Sequence, residues 1–250
     1  MSHRQHRFAR SRFLAGLLAA WPLAAWPPAA TAQVILDTQH ADIGLGYKDA
    51  WDLHVHDETN DVEYEPGDVL FYAGDNTTLP RPAGGPWDFI GVPAGQDIWV
   101  LPFAPAPDTL HLGVAAEEVK PGTLLSYIEA DPRVAQEGAW IRLSLVDMRG
   151  PGEFSIWTTD AFGQPIVWMS TFDNPLDNAL FVLESQHAHF NYGFTAEGIY
   201  EIDVVASALL PDGTLVTSDV ATYTFGVKEV PEPASLLALC CMLPVLGRRR

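Results

Sequence analysis

Between residues 33 and 228 the dominant rhythm of apolar and polar positions is two. In Tyr200–Ala208 the residues Tyr200, Ile202, Val204, Ala206 and Ala208 fall on one side, and Glu201, Asp203, Val205 and Ser207 on the other. Residues 221–228 repeat it, with Ala221, Tyr223, Phe225 and Val227 against Thr222, Thr224, Gly226 and Lys228. Ile141, Leu143 and Leu145 alternate with Arg142, Ser144 and Val146, and residues 98–103 are apolar on both sides. Side chains along a strand point alternately to its two faces, so these runs predict half-buried strands and one covered on both faces. Pro-Gly at 66–67, 121–122 and 151–152, Gly-Gly at 84–85 and Asp212-Gly213 punctuate them as turns. No stretch of ten residues carries a 3.6-residue apolar stripe. The expectation is an all-β, antiparallel β-sandwich. The segment from Phe194 through Gly198 to Tyr200 reads as a corner entering a late strand, which makes the C-terminal half immunoglobulin-like. A boundary near Lys120-Pro121-Gly122 divides the surface domain into parts 33–118 and 119–228.

The two ends read differently. Residues 1–32 hold Arg4, Arg7, Arg10 and Arg12, an apolar stretch from Phe13 to about Ala25, and the small-x-small triplet Ala30-Thr31-Ala32. This is the layout of a secretory signal peptide, which predicts a mature start at Gln33 after signal peptidase. Arg10 and Arg12 are not adjacent, so general export is favoured over a twin-arginine route. Residues 229–250 carry Pro231-Glu232-Pro233, the apolar run Ala234–Leu246, Gly247 and then Arg248, Arg249 and Arg250. Thirteen apolar residues fall short of the roughly 20 that a spanning helix needs. The segment therefore reads as a marginal, transient inner-membrane anchor or as a sorting signal. It resembles the PEP-CTERM tail of Gram-negative bacteria. That resemblance implies recognition of Pro231, Glu232 and Pro233 by a membrane-embedded exosortase and transfer to the cell surface or extracellular matrix, with surface or matrix components as partners.

Charge narrows the middle further. Fourteen Lys and Arg face 32 Asp and Glu, a net −18, and the segment between 33 and 247 holds seven of the bases and every acid. Such a surface repels phosphate backbones, which argues against nucleic acid, and attracts cations. Both cysteines, Cys240 and Cys241, lie in the tail, so residues 33–228 have no disulfide, thiolate site or cysteine nucleophile. No serine elbow, phosphate-cradling loop or zincin helix occurs either. The expected function is therefore non-enzymatic, with a metal-dependent hydrolase as the weaker alternative.

The chemistry concentrates in histidine. In Trp51-Asp52-Leu53-His54-Val55-His56-Asp57 the strand period places Asp52, His54 and His56 opposite Trp51, Leu53 and Val55. In the segment 187–194, His187, His189 and Asn191 oppose Phe190, Tyr192 and Phe194. Side chains two apart on a strand are rooted roughly 6–7 Å apart, close enough for two imidazoles to share an ion. Two such strands side by side would supply up to four nitrogens. Asp52 or Asp57 is then a ligand or an acceptor behind one, and His40, followed by Asp42, a fifth contributor. Imidazole with carboxylate nearby suits Zn or another divalent transition metal. The competing reading leaves these histidines solvated and the protein a purely structural or adhesive surface module. His111 stands alone and reads as structural.

A wider resemblance runs through these segments. His40-Ala41-Asp42-Ile43-Gly44, the His54 pair, Trp99-Val100-Leu101-Pro102, Gly150-Pro151-Gly152-Glu153-Phe154-Ser155, Thr159-Asp160-Ala161-Phe162-Gly163 and the His187 pair recur in the order seen in the choice-of-anchor M, or surface-anchored repeat, family. The match spans nearly all of 40–228, with Tyr192 where the family usually has Trp. The resemblance implies an exported domain with an interchangeable anchor and a metal-related role, and no assigned enzymatic activity.

Overall fold

The computed structural model describes residues 33–134 and 136–230. The expected signal peptide, residues 1–32, and Pro231-Glu232-Pro233 lie outside these residues. The described chain is almost entirely strand, with three short 3-10 turns, and strand pairing is mostly antiparallel. None of its helices is long and apolar enough to cross a membrane.

Three large sheets form. The first has seven strands, with Trp140–Arg149, Gly198–Leu209 and Ala221–Val227 at its centre. The second, of five strands, pairs Asp97–Leu101 with Asn191–Phe194 and that strand with Phe154–Thr159. The third, also of five, runs His187–His189, His111–Ala115, His40–Tyr47, Trp51–Asp57, Val62–Tyr64. Three pairings are parallel: Val34–Leu36 with Val69–Ala73, that strand with Ala221–Val227, and His40–Tyr47 with His111–Ala115.

The alternation in the sequence explains what is inside. Tyr200, Ile202, Val204, Ala206 and Ala208 are all buried, as are Tyr223, Phe225 and Val227. Phe225 sits at the centre of an aromatic cluster, with ring centroids 5.1 Å from Phe71, 5.3 Å from Phe194 and 6.1 Å from Phe154. Aromatic pairs at such separations add to the stabilisation from burial alone. A void of about 20 Å³ marks where the sheets meet: Ile43 and Val114 come from the third, Tyr192 and Ile156 from the second, Val204 and Tyr223 from the first.

One core therefore runs from Leu36 to Val227. Each large sheet draws strands from both sides of Lys120-Pro121-Gly122, so the expected boundary does not separate two cores. At the expected corner the Tyr200 hydroxyl donates to the Ala196 carbonyl (3.0 Å) and accepts from its N–H (3.1 Å), the bonding of a tyrosine corner.

Candidate metal centre

The third sheet has two faces of opposite character. Ala41, Ile43, Leu45, Val55, Leu112 and Val114 point into the core. The residues between them make the other face, and register sets their neighbours. His189 lies opposite Gly113, Gly113 opposite Asp42, Asp42 opposite His56, and His56 opposite Glu63. In the next row stand His187, Ala115, Gly44 and His54, and His40 pairs with His111. Both His-x-His strands thus present their histidines on one face of one sheet.

They do not meet. Two intervening strands place the His187 and His54 strands three spacings apart, about 14 Å at about 4.8 Å per step. The imidazoles that converge are those of His40, His111 and His189, each offering a nitrogen within 4.8 Å of the others. The His111 and His189 rings stack at 3.7 Å, and His40 lies 4.9 Å and 5.1 Å from them by centroid. His187 stands beside this group, 5.3 Å from His189 and 6.2 Å from His40. Its Nδ1 is 2.9 Å from Glu117 Oε1, so the carboxylate orients the ring and leaves Nε2 free, as acceptors behind metal-bound histidines do.

One glycine makes room within this cluster, and a second makes room for His54. A Cβ on Gly113 would fall on Asp42 Oδ1 and lie 3.0 Å from His189 Cε1. On Gly44 it would fall within the His54 ring.

Asp42 is 1% exposed, and its Oδ1 has no hydrogen-bond partner. His40 Nε2 and His189 Nδ1 are likewise buried and unpartnered. Buried polar atoms are rarely left so, and here three of them lie in one cluster. Burial pushes the Asp42 carboxyl up to about 6, the nearby His187 partly offsetting it. Burial, reinforced by His111, pushes His189 down to about 4. Burial also lowers His40 and His111, the Phe103 carbonyl opposing it at His111. His187 moves upward because Glu117 holds it. Three imidazoles are thus kept neutral, with lone pairs available, beside a carboxylate short of positive charge.

No protein family, curated protein or solved structure matches this chain.

The remaining histidines have other partners. His54, buried, has Nε2 3.3 Å from Glu118 Oε1, and a carboxylate oxygen of Glu63 also lies within reach. His56 Nδ1 is 2.7 Å from Glu58. Asp52 is exposed. Asp57 faces away and caps a turn, accepting from the N–H groups of Thr59 and Asn60 at 3.1 Å each. Its parity with Val55 puts it on the core side. His111 had no neighbour to betray it in the sequence. It joins the cluster because its strand pairs in parallel with the His40 strand, with His40 and His111 in register.

Three imidazole nitrogens and a nearby carboxylate form a donor set for a divalent transition metal. A tetrahedral ion with bonds near 2.1 Å needs its nitrogens about 3.4 Å apart, so binding requires the stacked His111 and His189 rings to reorient.

Proposed function

We propose that this chain is a non-enzymatic, exported surface protein of the choice-of-anchor M type that binds a divalent transition metal. The ligands are His40, His111 and His189, with His187 and Asp42 beside them. The tail would be a PEP-CTERM signal, handled by an exosortase after signal peptidase has removed residues 1–32. The expected location is the Gram-negative surface or its matrix. The Tyr200 corner supports an immunoglobulin-like reading of the C-terminal half.

One observation carries the metal reading. Ligand nitrogens from three strands lie within 4.8 Å of one another, and two of those residues and the neighbouring Asp42 carry buried polar atoms that nothing in the protein satisfies. A cation in this place would give such atoms a partner.

Elemental analysis and calorimetry with zinc, cobalt and manganese test it. One ion per chain is expected, lost when His111 and His189 both become Ala and retained in His54→Ala. Substoichiometric metal in the unaltered protein, or equal binding by the double variant, overturns it. The purely structural or adhesive module is then the better description.

A further inference from the structure

A cleft of about 600 Å³ adjoins the histidine cluster. Trp140, Trp168 and Phe181 line it, Phe103 stands at its rim, and His187 and His189 belong to both cleft and cluster. Both indole N–H groups and the guanidinium of the lining are already engaged. Trp168 Nε1 donates to Thr158 Oγ1 at 3.1 Å, and Trp140 Nε1 to the Gln136 carbonyl at 3.3 Å. Arg133, 5.1 Å from the Trp168 ring centroid, is bound to Asp131 and donates to the carbonyls of Val167, Trp168 and Asp177. What remains for a guest is aromatic surface with little hydrogen-bonding capacity, the character of a small-molecule site.

Phe103 ties this surface to the histidines. Its side chain is half exposed, yet its backbone is held from both directions. The N–H donates to Asn191 Oδ1 at 3.0 Å, and the carbonyl oxygen lies 3.2 Å from His111 Nε2. The Phe103 backbone is therefore fixed next to a ligand of the cluster.

An ion held by three protein nitrogens keeps at least one position for an outside donor. Since His187 and His189 also line the cleft, that position has an aromatic chamber beside it. Seven bases against 32 acids between 33 and 247 disfavour anionic guests such as carboxylates and phosphates.

We infer that cluster and cleft form one composite site for a small, uncharged aromatic molecule bearing a nitrogen or oxygen donor. The donor coordinates the metal while the ring fills the cleft. This rests on the metal reading above.

Two probes test it: imidazole, which has the donor alone, and 4-phenylimidazole, which adds a phenyl ring. The cobalt-loaded protein is titrated with each, following the visible bands of the ion and tryptophan emission. Binding of 4-phenylimidazole is expected to be at least tenfold tighter than that of imidazole. Phe103→Ala should reduce this ratio several-fold and leave cobalt affinity unchanged. Equal affinities overturn the inference, as does an undiminished ratio in Phe103→Ala or equally tight binding of 4-phenylimidazole after chelation. If cobalt is not taken up at all, the metal reading falls and takes this one with it. If cobalt loads but the probes are not distinguished, this inference alone falls.

Discussion

Asp42→Asn separates the metal-free from the metal-bound protein by the sign of its effect. Without an ion, the Asp42 carboxylate is buried, and its raised pKa lowers stability. The folded state holds the proton up to about pH 6, whereas the unfolded chain releases it near 3.8. The destabilisation therefore begins as pH rises past 3.8 and is complete above 6. A shift of about two units corresponds to about 3 kcal/mol at about 1.4 kcal/mol per unit. Asparagine keeps the shape and carries no charge. At pH 8 in chelator the variant should be up to about 3 kcal/mol more stable, a melting temperature about 6–12 °C higher for a chain of this size. At pH 3.5 the two proteins should melt together. With zinc bound the carboxylate has its counter-charge, so the order reverses. Acidification adds a second signature. His189 titrates near 4 when folded and near 6.5 when unfolded, which gives stability that is full above 6.5 and lost as pH falls towards 4. Asp42 opposes that loss in the unaltered protein, so the variant should weaken more steeply between pH 6.5 and 4. Scanning fluorimetry with EDTA or zinc across this range reads all of it. A metal-free Asp42→Asn that is less stable at pH 8, or a stabilisation that persists at pH 3.5, refutes the argument.

Two further outcomes follow from close contacts. Gly113→Ala places a methyl group on Asp42 and against His189. It should cost about 1–3 kcal/mol by urea denaturation and weaken zinc binding at least tenfold, while Gly67→Ala, where a Cβ meets nothing within 4 Å, stays within about 0.5 kcal/mol. Tyr200→Phe removes a hydroxyl bonded to both the N–H and the carbonyl of Ala196. A loss of about 1–2 kcal/mol is expected, and an unchanged urea midpoint would show that solvent replaces both bonds.

The strands were legible wherever one face is wet and the other dry, because alternation then appears directly in residue type. Tyr200–Ala208 and Ala221–Val227 are such cases. What alternation does not encode is which strand lies beside which. The two His-x-His segments were recognised as strands with histidines on their polar face, and they have that form. Their separation by the His40 and His111 strands is a matter of pairing, which no local pattern reports. The same blindness left His111 as a lone residue. Residues 187–194 read as one strand, but the chain leaves the third sheet at Phe190 and enters the second at Asn191. Phe190 carries the apolar pattern across that break unaltered, while the Asn191 side chain turns to the Phe103 N–H and the Trp157 carbonyl. The boundary near Lys120-Pro121-Gly122 followed turn chemistry correctly, since a turn is there. A turn signal says nothing about whether the segments on either side share an interior.

The parallel pairing of the His40 and His111 strands, with His189 added from an edge, has a consequence for the order of assembly. The three proposed ligands are spread over some 150 residues of chain, and no shorter piece contains them all. A polypeptide threaded through a translocon in extended form cannot carry the ion with it. Loading must wait for the last-made edge strand to dock, so under the proposed route of export the metal would be acquired outside the cytoplasm, from whatever pool exists there.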